Sequence, residues 1–215
     1  MESSNIIVVM ALPSESQGLF EEHNVPVLFT GVGKVNATYQ LTKTILQHKA
    51  EGKKIDLVLN LGTAGSRTFP TASVVYCQKF AQRDMDVSLL GFKHGETPYE
   101  DSHPIVLEHK DRKQEEGVLY GTCGTGDSFS AEAPKIECDV IDMEGYALAK
   151  VCLWENVPFL AVKYITDGAD DNAAKDWIAA LKDGSKKLFE VYKVLSASDK
   201  PTENIEKKIG EAISH

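Results

Sequence analysis

Short apolar runs alternate with helical patterns along the chain, and this alternation constrains the fold more than any other feature. Three segments, 35–48, 143–155 and 175–195, repeat apolar residues at helical spacing and predict amphipathic helices. Strands that alternate with helices predict a single-domain, three-layer α/β/α fold around a central mixed, largely parallel twisted sheet. The predicted strands are the apolar, β-branched runs at 5–10, 25–31, 54–62, 72–78, 117–124, 138–142 and 157–165.

The length of the chain fits one such domain. Its 215 residues, 42% of them apolar, suffice for one core large enough to enclose a sheet. We assign residues 1–195 to this domain. Residues 196–215 begin with SASDKPTEN, which interrupts the last helical pattern, and we expect them to form a charged tail with a short helix.

Charge and cysteine content exclude several classes of protein. The net charge of -9 and the pI near 5.2 disfavour nucleic acid or a membrane surface as a partner. The apolar run 6–12 is too short to span a bilayer and lacks the basic flank of a signal peptide, so we expect a cytoplasmic protein. The cysteines form no C-x-x-C pair and no histidine stands at ligand spacing, so we expect neither a metal site nor disulfides.

Glycine-rich turns follow two predicted strands, where ligands of open α/β sheets bind. In TGVGKVNA, Gly31 and Gly33 open a helix, but Asn36 replaces the third glycine of a dinucleotide fingerprint. A tight strand-to-helix turn and a phosphate site therefore both remain open, and we expect no cofactor. In NLGTAGS, the small residues 63–65 would let a sugar or a base approach the backbone closely.

Carboxylates also follow predicted strands. Asp142 and Glu144 flank Met143 at the start of a helix, and the pair could cap that helix or bind two sugar hydroxyls. In ITDGADD, Asp167 comes directly after a buried strand, and a carboxyl group removed from water is suited to donate a proton. Glu15, in LPSES, could cap a helix or orient water. Two carboxylates, one as a proton donor and one to orient water, are the minimal set of catalytic groups for hydrolysis of a glycosidic bond.

The ordered motifs resemble the purine nucleoside phosphorylase superfamily, and within it the 5'-methylthioadenosine/S-adenosylhomocysteine nucleosidases. The resemblance covers nearly the whole domain and implies a small purine nucleoside as substrate, without a cofactor. It is carried by Glu15 in LPSES, TGVGKVNA (30–37), NLGTAGS (60–66), RDMDVSLLGF (83–92), GTGDSF (124–129), IDMEGYALAKVC (141–152) and VKYITDGAD (162–170).

The resemblance implies a role for each matching residue. Asp167 would protonate N7 of the purine, so that adenine leaves as a neutral base. Glu15 would activate the attacking water. Glu144 would bind the 2' and 3' hydroxyls of the ribose, Met143 would lie against the sugar, and Phe129 would stack on the base.

Further residues of the implied site hold the base and the 5' substituent. The backbone of Ser130 would contact the adenine edge, and Thr166 would hold Asp167. Trp177 would cover the 5' substituent, and Leu90 would reach the site of a neighbouring subunit in a homodimer. The remaining implied substrate-binding residues are Thr63, Ala64, Gly65, Asp142 and Lys163.

The chain departs from the nucleosidase pattern at several of these positions. Lys163 replaces arginine, Asp142 replaces glutamate, Thr63 replaces serine, Gly145 replaces alanine, and Ser130 replaces an apolar residue. Because these positions surround the base and the sugar, they affect specificity more than chemistry. A futalosine hydrolase, another purine nucleosidase and a non-catalytic nucleoside-binding protein are therefore alternatives.

The arginine content distinguishes a hydrolase from a phosphorylase. A phosphorylase must bind phosphate, and arginine suits this anion best. The chain has only Arg67, Arg83 and Arg112, and none of them lies in the first two strand-end loops. Glu15 would repel a phosphate placed beside it. We therefore expect water as the nucleophile, with a purine nucleoside phosphorylase as the alternative.

Overall fold

The computed structural model describes residues 5–101, 105–106, 117–129, 133–170, 172–198 and 200–213. The strands are β1 (Ile6–Met10), β2 (Val27–Phe29), β3 (Leu57–Gly65), β4 (Val74–Gln82), β5 (Ile105–Val106), β6 (Leu119–Thr125), β7 (Val140–Asp142) and β8 (Phe159–Asp167). The helices are α1 (Pro13–Ser16), α2 (Leu19–Glu22), α3 (Lys34–Ala50), α4 (Gly145–Glu155), α5 (Ala173–Ser196) and α6 (Ile205–Ile213), with one 3-10 turn at Ser88–Leu90.

The described strands form one mixed sheet that closes partly on itself. Strands β2, β1, β3 and β8 are parallel neighbours in that order, as are β4, β6 and β7. Strand β8 also pairs antiparallel with β4, and β7 returns to β3 through the pair Gly65 and Ile141. Five strands, β3, β8, β4, β6 and β7, therefore form a barrel-like ring with β1 and β2 as an extension.

Two apolar cores, one on each face of the sheet, give the molecule three layers. On one face, Leu41 of α3 and Leu148 of α4 are completely buried. On the other face, Leu188 of α5 and Phe20 of α2 pack in a second cluster. The α/β/α architecture with a largely parallel sheet is thus confirmed. It follows from strands that are apolar on both sides, which need helices on both faces.

Elements that the sequence patterns did not predict include α2, the 3-10 turn and strand β5, whereas α6 lies in the tail where a short helix was expected. Strand β5 spans only two residues, Ile105–Val106, and is too short to leave a pattern in the sequence. Helix α6 lies in the charged tail and buries Ile205 and Ile209 in the second core. None of the helices in the described ranges has a stretch long and apolar enough to cross a membrane.

The sheet topology brings the candidate residues to one edge. Because β1, β3 and β8 run parallel, their carboxyl ends lie together. These ends lead to Glu15 in α1, to Gly65 and to Asp167. Strand β7 meets the end of β3, so Asp142 reaches the same edge.

Candidate active site

Glu15 is held in place by four hydrogen bonds. The short helix α1 follows β1 directly and turns the Glu15 side chain back onto the sheet, where it is buried. Its Oε2 accepts from the amides of Ala11 and Leu12 at 3.0 and 3.1 Å. Its Oε1 accepts from both the amide and the hydroxyl of Thr63, each at 2.8 Å. An ionised carboxylate, which only accepts hydrogen bonds, satisfies all four donors.

Trp177 contacts this carboxylate site from α5. Its indole Nε1 donates to Oγ1 of Thr63 at 2.9 Å. The family resemblance implies that Trp177 covers the 5' substituent, and the structure places it beside the hydroxyl that also holds Glu15. The indole nitrogen therefore belongs to the hydrogen-bond network of the site.

Glu144 lies between the other carboxylates and the first turn of α3. It stands at the N-terminus of α4, is buried, and accepts from the amide of Gly33 at 2.8 Å. Burial raises the pKa of Glu144 to about 7, and the charge of Asp142 adds to the rise. The charge of Lys163 and the hydrogen bond from the Gly33 amide lower the pKa of Glu144, but by less. Protonation of Glu144 is therefore poised near neutral pH.

Lys163 and Asp142 form a buried ion pair beneath the site. The Lys163 Nζ lies 2.9 Å from Oδ2 of Asp142, and both side chains are shielded from water. Burial alone would lower the pKa of Lys163, but the negative charge of Asp142 outweighs it and raises that pKa. Asp142 also faces burial, yet Lys163 lowers its pKa. Both groups are therefore ionised at neutral pH.

The remaining oxygen contacts of Asp142 lie within the protein. Its Oδ1 accepts from Thr125 Oγ1 at 2.5 Å, and its Oδ2 accepts from the amide of Gly145 at 2.8 Å. The Gly145 contact is the helix-capping interaction considered for Asp142. These contacts and the Lys163 ion pair fix both oxygens of Asp142, and the residue also lines the cavity of the site.

Lys163 also lies close to Glu15. A Cβ atom built on Gly62 would stand 3.2 Å from Oε1 of Glu15 and 3.5 Å from Nζ of Lys163. Both charged groups therefore approach the same glycine, and a larger residue there would displace them. Lys163 therefore lies between Asp142, with which it pairs, and the part of the site that holds Glu15.

Asp167 ends strand β8 and is oriented by its neighbours. Its Oδ2 accepts from Thr166 Oγ1 at 2.7 Å, and its Oδ1 accepts from the amide of Ala169 at 2.9 Å. A Cβ atom on Gly65 would stand only 2.6 Å from Oδ1 of Asp167. Gly65 is therefore required for Asp167 to lie where it does.

Asp170 has a different function. Its Oδ1 accepts from the amide of Asn172, the residue that precedes α5, at 2.8 Å. This contact orders the start of the helix. The aspartates of this motif thus divide between Asp167 at the site and Asp170 at the helix.

A cavity lies beside Asp142 and Asp167, and the other candidates described above, Glu15, Thr63, Glu144, Lys163 and Trp177, are not among the residues that line it. It contains five of the residues that the sequence assigns to the site and brings the base-stacking and sugar-contacting candidates to one place. Ala64 is buried outside this cavity, and its carbonyl oxygen lies 3.3 Å from Thr166 Oγ1. Ser130 lies outside the described residues. The cavity is lined by Gly65, Ser128, Phe129, Ile141, Asp142, Met143, Asp167, Ala169 and Ala173.

Two supporting residues were missed in the sequence. Thr125 donates to Asp142 and accepts from the amide of Tyr146, so it joins β6 to the start of α4. Gly33 gives its amide to Glu144 and adopts a positive φ of 94°. The sequence signal for Gly33 was the glycine turn TGVGK. In the structure, the Gly33 amide binds the carboxylate of Glu144. Within the described ranges, His, Cys, Asp and Glu form no group of three or more that could hold a metal ion.

Comparison with solved structures places the fold in a known class. A futalosine hydrolase mutant of Helicobacter pylori superimposes with a TM-score of 0.70 and 20% identity, covering 97% of this chain and 99% of that one. The S. pneumoniae 5'-methylthioadenosine/S-adenosylhomocysteine nucleosidase with a transition-state inhibitor gives a TM-score of 0.69 and 18% identity, with coverages of 97% and 99%. At these identities the likeness establishes the fold.

The family is established by sequence. The model of the phosphorylase superfamily matches residues 15–196, and the chain belongs to this superfamily. A curated relative, the 5'-methylthioadenosine/S-adenosylhomocysteine nucleosidase of Bacillus cytotoxicus, is 29% identical, with 75% of this chain and 76% of the relative covered. The resemblance inferred from the ordered motifs is thereby confirmed.

Proposed function

We propose that the protein hydrolyses the N-glycosidic bond of nucleosides of the 5'-methylthioadenosine and S-adenosylhomocysteine type and releases adenine. The observation that carries this proposal is the convergence of Glu15, Glu144 and Asp167 at one edge of the sheet. Family membership and nucleosidase relatives support it. Residues 1–195 form the proposed catalytic domain.

Asp167 is the proposed general acid. The glycosidic bond breaks through an oxocarbenium-like state, and the departing purine needs a proton to leave as a neutral base. The Thr166 hydroxyl and the Ala169 amide fix both oxygens of Asp167. Fixed oxygens reduce the reorganisation needed for transfer of a proton to N7.

Glu15 is the proposed group that orients and activates water. Four donors fix its carboxylate, and Lys163 lies close by across Gly62. A water bound to Glu15 would be held for attack on the anomeric carbon as positive charge develops on the sugar.

Glu144 is the proposed ribose-binding residue. A carboxylate accepts hydrogen bonds from two adjacent hydroxyls, and charge makes these bonds strong. Met143, beside it, lines the cavity and offers an apolar surface to the sugar. Glu144 must be ionised for this role, so its pKa of about 7 makes binding sensitive to pH.

Phe129 and Trp177 are the proposed aromatic contacts for the base and the 5' substituent. The cavity measures about 40 Å³, whereas sites for small organic ligands measure roughly 300–1,000 Å³. Substrate entry therefore requires part of the wall to move. Phe129, which is 65% exposed, is the wall residue best placed to do so.

The described arginines are already engaged, which favours water over phosphate as the nucleophile. Arg67 donates to the carbonyl of Ala169, and Arg83 donates to the carbonyls of Gly126 and Ser128. The test is to follow adenine release from 5'-methylthioadenosine with and without phosphate and to identify the sugar product. Equal release with free methylthioribose supports hydrolysis, whereas a phosphate requirement with methylthioribose 1-phosphate contradicts it.

A futalosine hydrolase activity is the second candidate. The fold of the Helicobacter pylori enzyme matches over nearly the whole chain, and cleavage of another nucleoside would need different base and 5' pockets on the same fold. Futalosine and 5'-methylthioadenosine should be compared at equal concentrations. Faster turnover of futalosine would replace the first candidate, and turnover of neither nucleoside would favour a binding protein.

We also propose that the protein acts as a homodimer in the cytoplasm. A groove of about 830 Å³ between α3 and α4 is lined by apolar residues that include Val35, Tyr39 and Trp154, all well exposed. Leu90, on the 3-10 turn, is also exposed, as a residue contributed to a neighbouring subunit would be. The buried thiols of Cys77 and Cys123 suit a reducing compartment.

A further inference from the structure

The motif RDMDV, at 83–87, has no part in the chemistry proposed above, yet it contacts two segments of the site. Asp84 accepts from the amide of Asp127 at 2.8 Å through Oδ2. Its Oδ1 lies 2.5 Å from Nζ of Lys34, the first residue of α3. Asp84 thus joins the loop before Phe129 to the first residue of α3.

Asp127 and Lys34 contact each other directly as well. The Lys34 amide donates to Oδ1 of Asp127 at 2.8 Å, and Lys34 Nζ lies 3.6 Å from its Oδ2. The preceding amide, that of Gly33, donates to Glu144. Two consecutive amides at the start of α3 therefore bind the candidate ribose carboxylate and the loop that leads to Phe129.

Arg83 holds the same loop from its other side. Its guanidinium donates to the carbonyls of Gly126 and Ser128 and to the Ser128 hydroxyl. A Cβ atom on Gly126 would stand 3.0 Å from the Arg83 side chain, so the guanidinium packs directly on the loop. The residue that follows these contacts is Phe129.

We propose that Arg83, Asp84, Lys34 and Asp127, hereafter the rim network, are positioning residues that fix the base-stacking loop relative to Glu144. This inference rests on the proposed function and names residues to which the chemistry itself gives no role. The network sets the distance between the base subsite and the ribose subsite. Loss of the rim network should weaken the binding of ligands that span both subsites more than the binding of a ligand that occupies only one.

The charges of the rim network are suited to this task. Lys34 is largely shielded, and its ammonium stands between the carboxylates of Asp84 and Asp127. Partial burial works against ionisation of Asp84, but the hydrogen bonds from Lys34 and from the Asp127 amide lower its pKa. Loss of the ammonium would leave two carboxylates facing each other without compensation, and the loop would move away from α3.

The first test compares Lys34→Met with Lys49→Met. Lys49 lies near the other end of α3 and pairs with Glu155 at 2.7 Å, so it controls for loss of an ion pair on the same helix. For Lys34→Met we expect the KM for 5'-methylthioadenosine to rise about tenfold, with kcat within about threefold of wild type. Inhibition by free adenine should weaken less than about threefold, and Lys49→Met should match wild type in all three values. An unchanged KM for Lys34→Met, or equal rises in both variants, would overturn the proposal.

A second test uses rescue by a conservative variant. Asp127→Ala removes the acceptor for the Lys34 amide, whereas Asp127→Asn keeps an oxygen at this position. We expect the KM of the asparagine variant to lie much closer to wild type than that of the alanine variant. Equal KM values for the two variants would contradict a positioning role.

Hydrogen exchange separates this inference from the proposed function. In Lys34→Met, we expect the amides of Gly33 and Asp127 to exchange at least about tenfold faster than in wild type, whether or not the protein cleaves a nucleoside. If wild type releases no adenine, the proposed function fails, and hydrogen exchange alone tests the proposal for the rim network. Unchanged exchange at both amides would overturn it.

Discussion

The indole of Trp177 and the hydroxyl of Thr63 are joined by a hydrogen bond of 2.9 Å, although 114 residues separate them in the chain. The same hydroxyl donates to Oε1 of Glu15 at 2.8 Å. A hydroxyl that accepts from one partner and donates to another has a defined direction, so Trp177 determines how Thr63 holds Glu15. A phenylalanine at position 177 could cover the same region but could not donate this bond.

Replacing Trp177 tests this relationship. Trp177→Phe keeps an aromatic surface and removes the donor, and we expect kcat for the nucleosidase reaction to fall about fivefold, since one hydrogen bond contributes about 1 kcal/mol. Thr63→Ser keeps the hydroxyl and should retain most of the activity. Steady-state kinetics of both variants measure the effect. A Trp177→Phe enzyme with unchanged kcat would show that the indole bond has no bearing on Glu15.

The pKa of Glu144 predicts a pH profile. The group is protonated below a pKa of about 7 and ionised above it, and the ionised form binds the ribose hydroxyls. We therefore expect kcat/KM to rise with pH and to level off above about 7. Glu144→Gln should lower kcat/KM and abolish this rise. A rise that persists in the glutamine variant would assign the titration to another group.

The same shift affects stability with a defined sign. Because the pKa of Glu144 is raised from 4.5 to about 7, the folded protein binds a proton that the unfolded chain releases between these values. This contribution to the free energy of unfolding is fully present below the unfolded pKa and is lost as pH rises through about 7. Urea unfolding at about pH 5 and about pH 8 should give a smaller decrease for Glu144→Gln than for wild type. Equal decreases in the two proteins would contradict the assignment.

The buried pair of Lys163 and Asp142 predicts a strong dependence of each residue on the other. Lys163→Met would leave the Asp142 carboxylate buried without its partner, at an expected cost of about 3–5 kcal/mol in unfolding free energy. Adding Asp142→Asn should recover part of this loss, because the uncompensated charge is then removed. Chemical denaturation of the single and double variants measures the coupling. Additive effects would mean that the pair contributes no mutual stabilisation.

The groove between α3 and α4 predicts the surface that forms the dimer. Val35 is 79% exposed and lines this groove, so Val35→Glu would place a charge in an apolar contact. We expect wild type to sediment as a dimer and Val35→Glu as a monomer. Leu153→Glu is the control, since Leu153 is exposed on α4 but does not line the groove. A dimer that survives Val35→Glu would place the interface elsewhere.

Local patterns were sufficient to predict much of the fold. The apolar runs were long enough to specify the strands other than β5, and helices α3, α4 and α5 begin and end within two residues of the predicted bounds. The ring closure of the sheet was not predictable, because it depends on β8 pairing with both β3 and β4. Pairing between strands far apart in sequence is set by packing of the whole chain and leaves no signal in any one segment.

The site shows the same division between local and distant information. Asp167 and Glu144 were identifiable because each stands at the end of an apolar run. The bond between Gly33 and Glu144 spans 111 residues and could not be predicted locally. Lys163 and Asp142 seemed to be two separate departures from the family pattern, whereas in the structure they pair with each other. The two departures from the family pattern therefore occur at residues that contact each other.

Adenine release by Asp167→Asn and Glu15→Gln in phosphate-free buffer tests the account most directly. Asparagine cannot donate the proton that the leaving base requires, and glutamine is a poor activator of water. We expect wild type to convert 5'-methylthioadenosine to adenine, and each folded variant to do so at least about 100-fold more slowly. Glu15→Gln should also melt at a lower temperature than wild type, because its amide group faces two of the four donors that hold the carboxylate. A folded Asp167→Asn or Glu15→Gln protein that releases adenine at the wild-type rate would contradict the proposed division of labour between the two carboxylates.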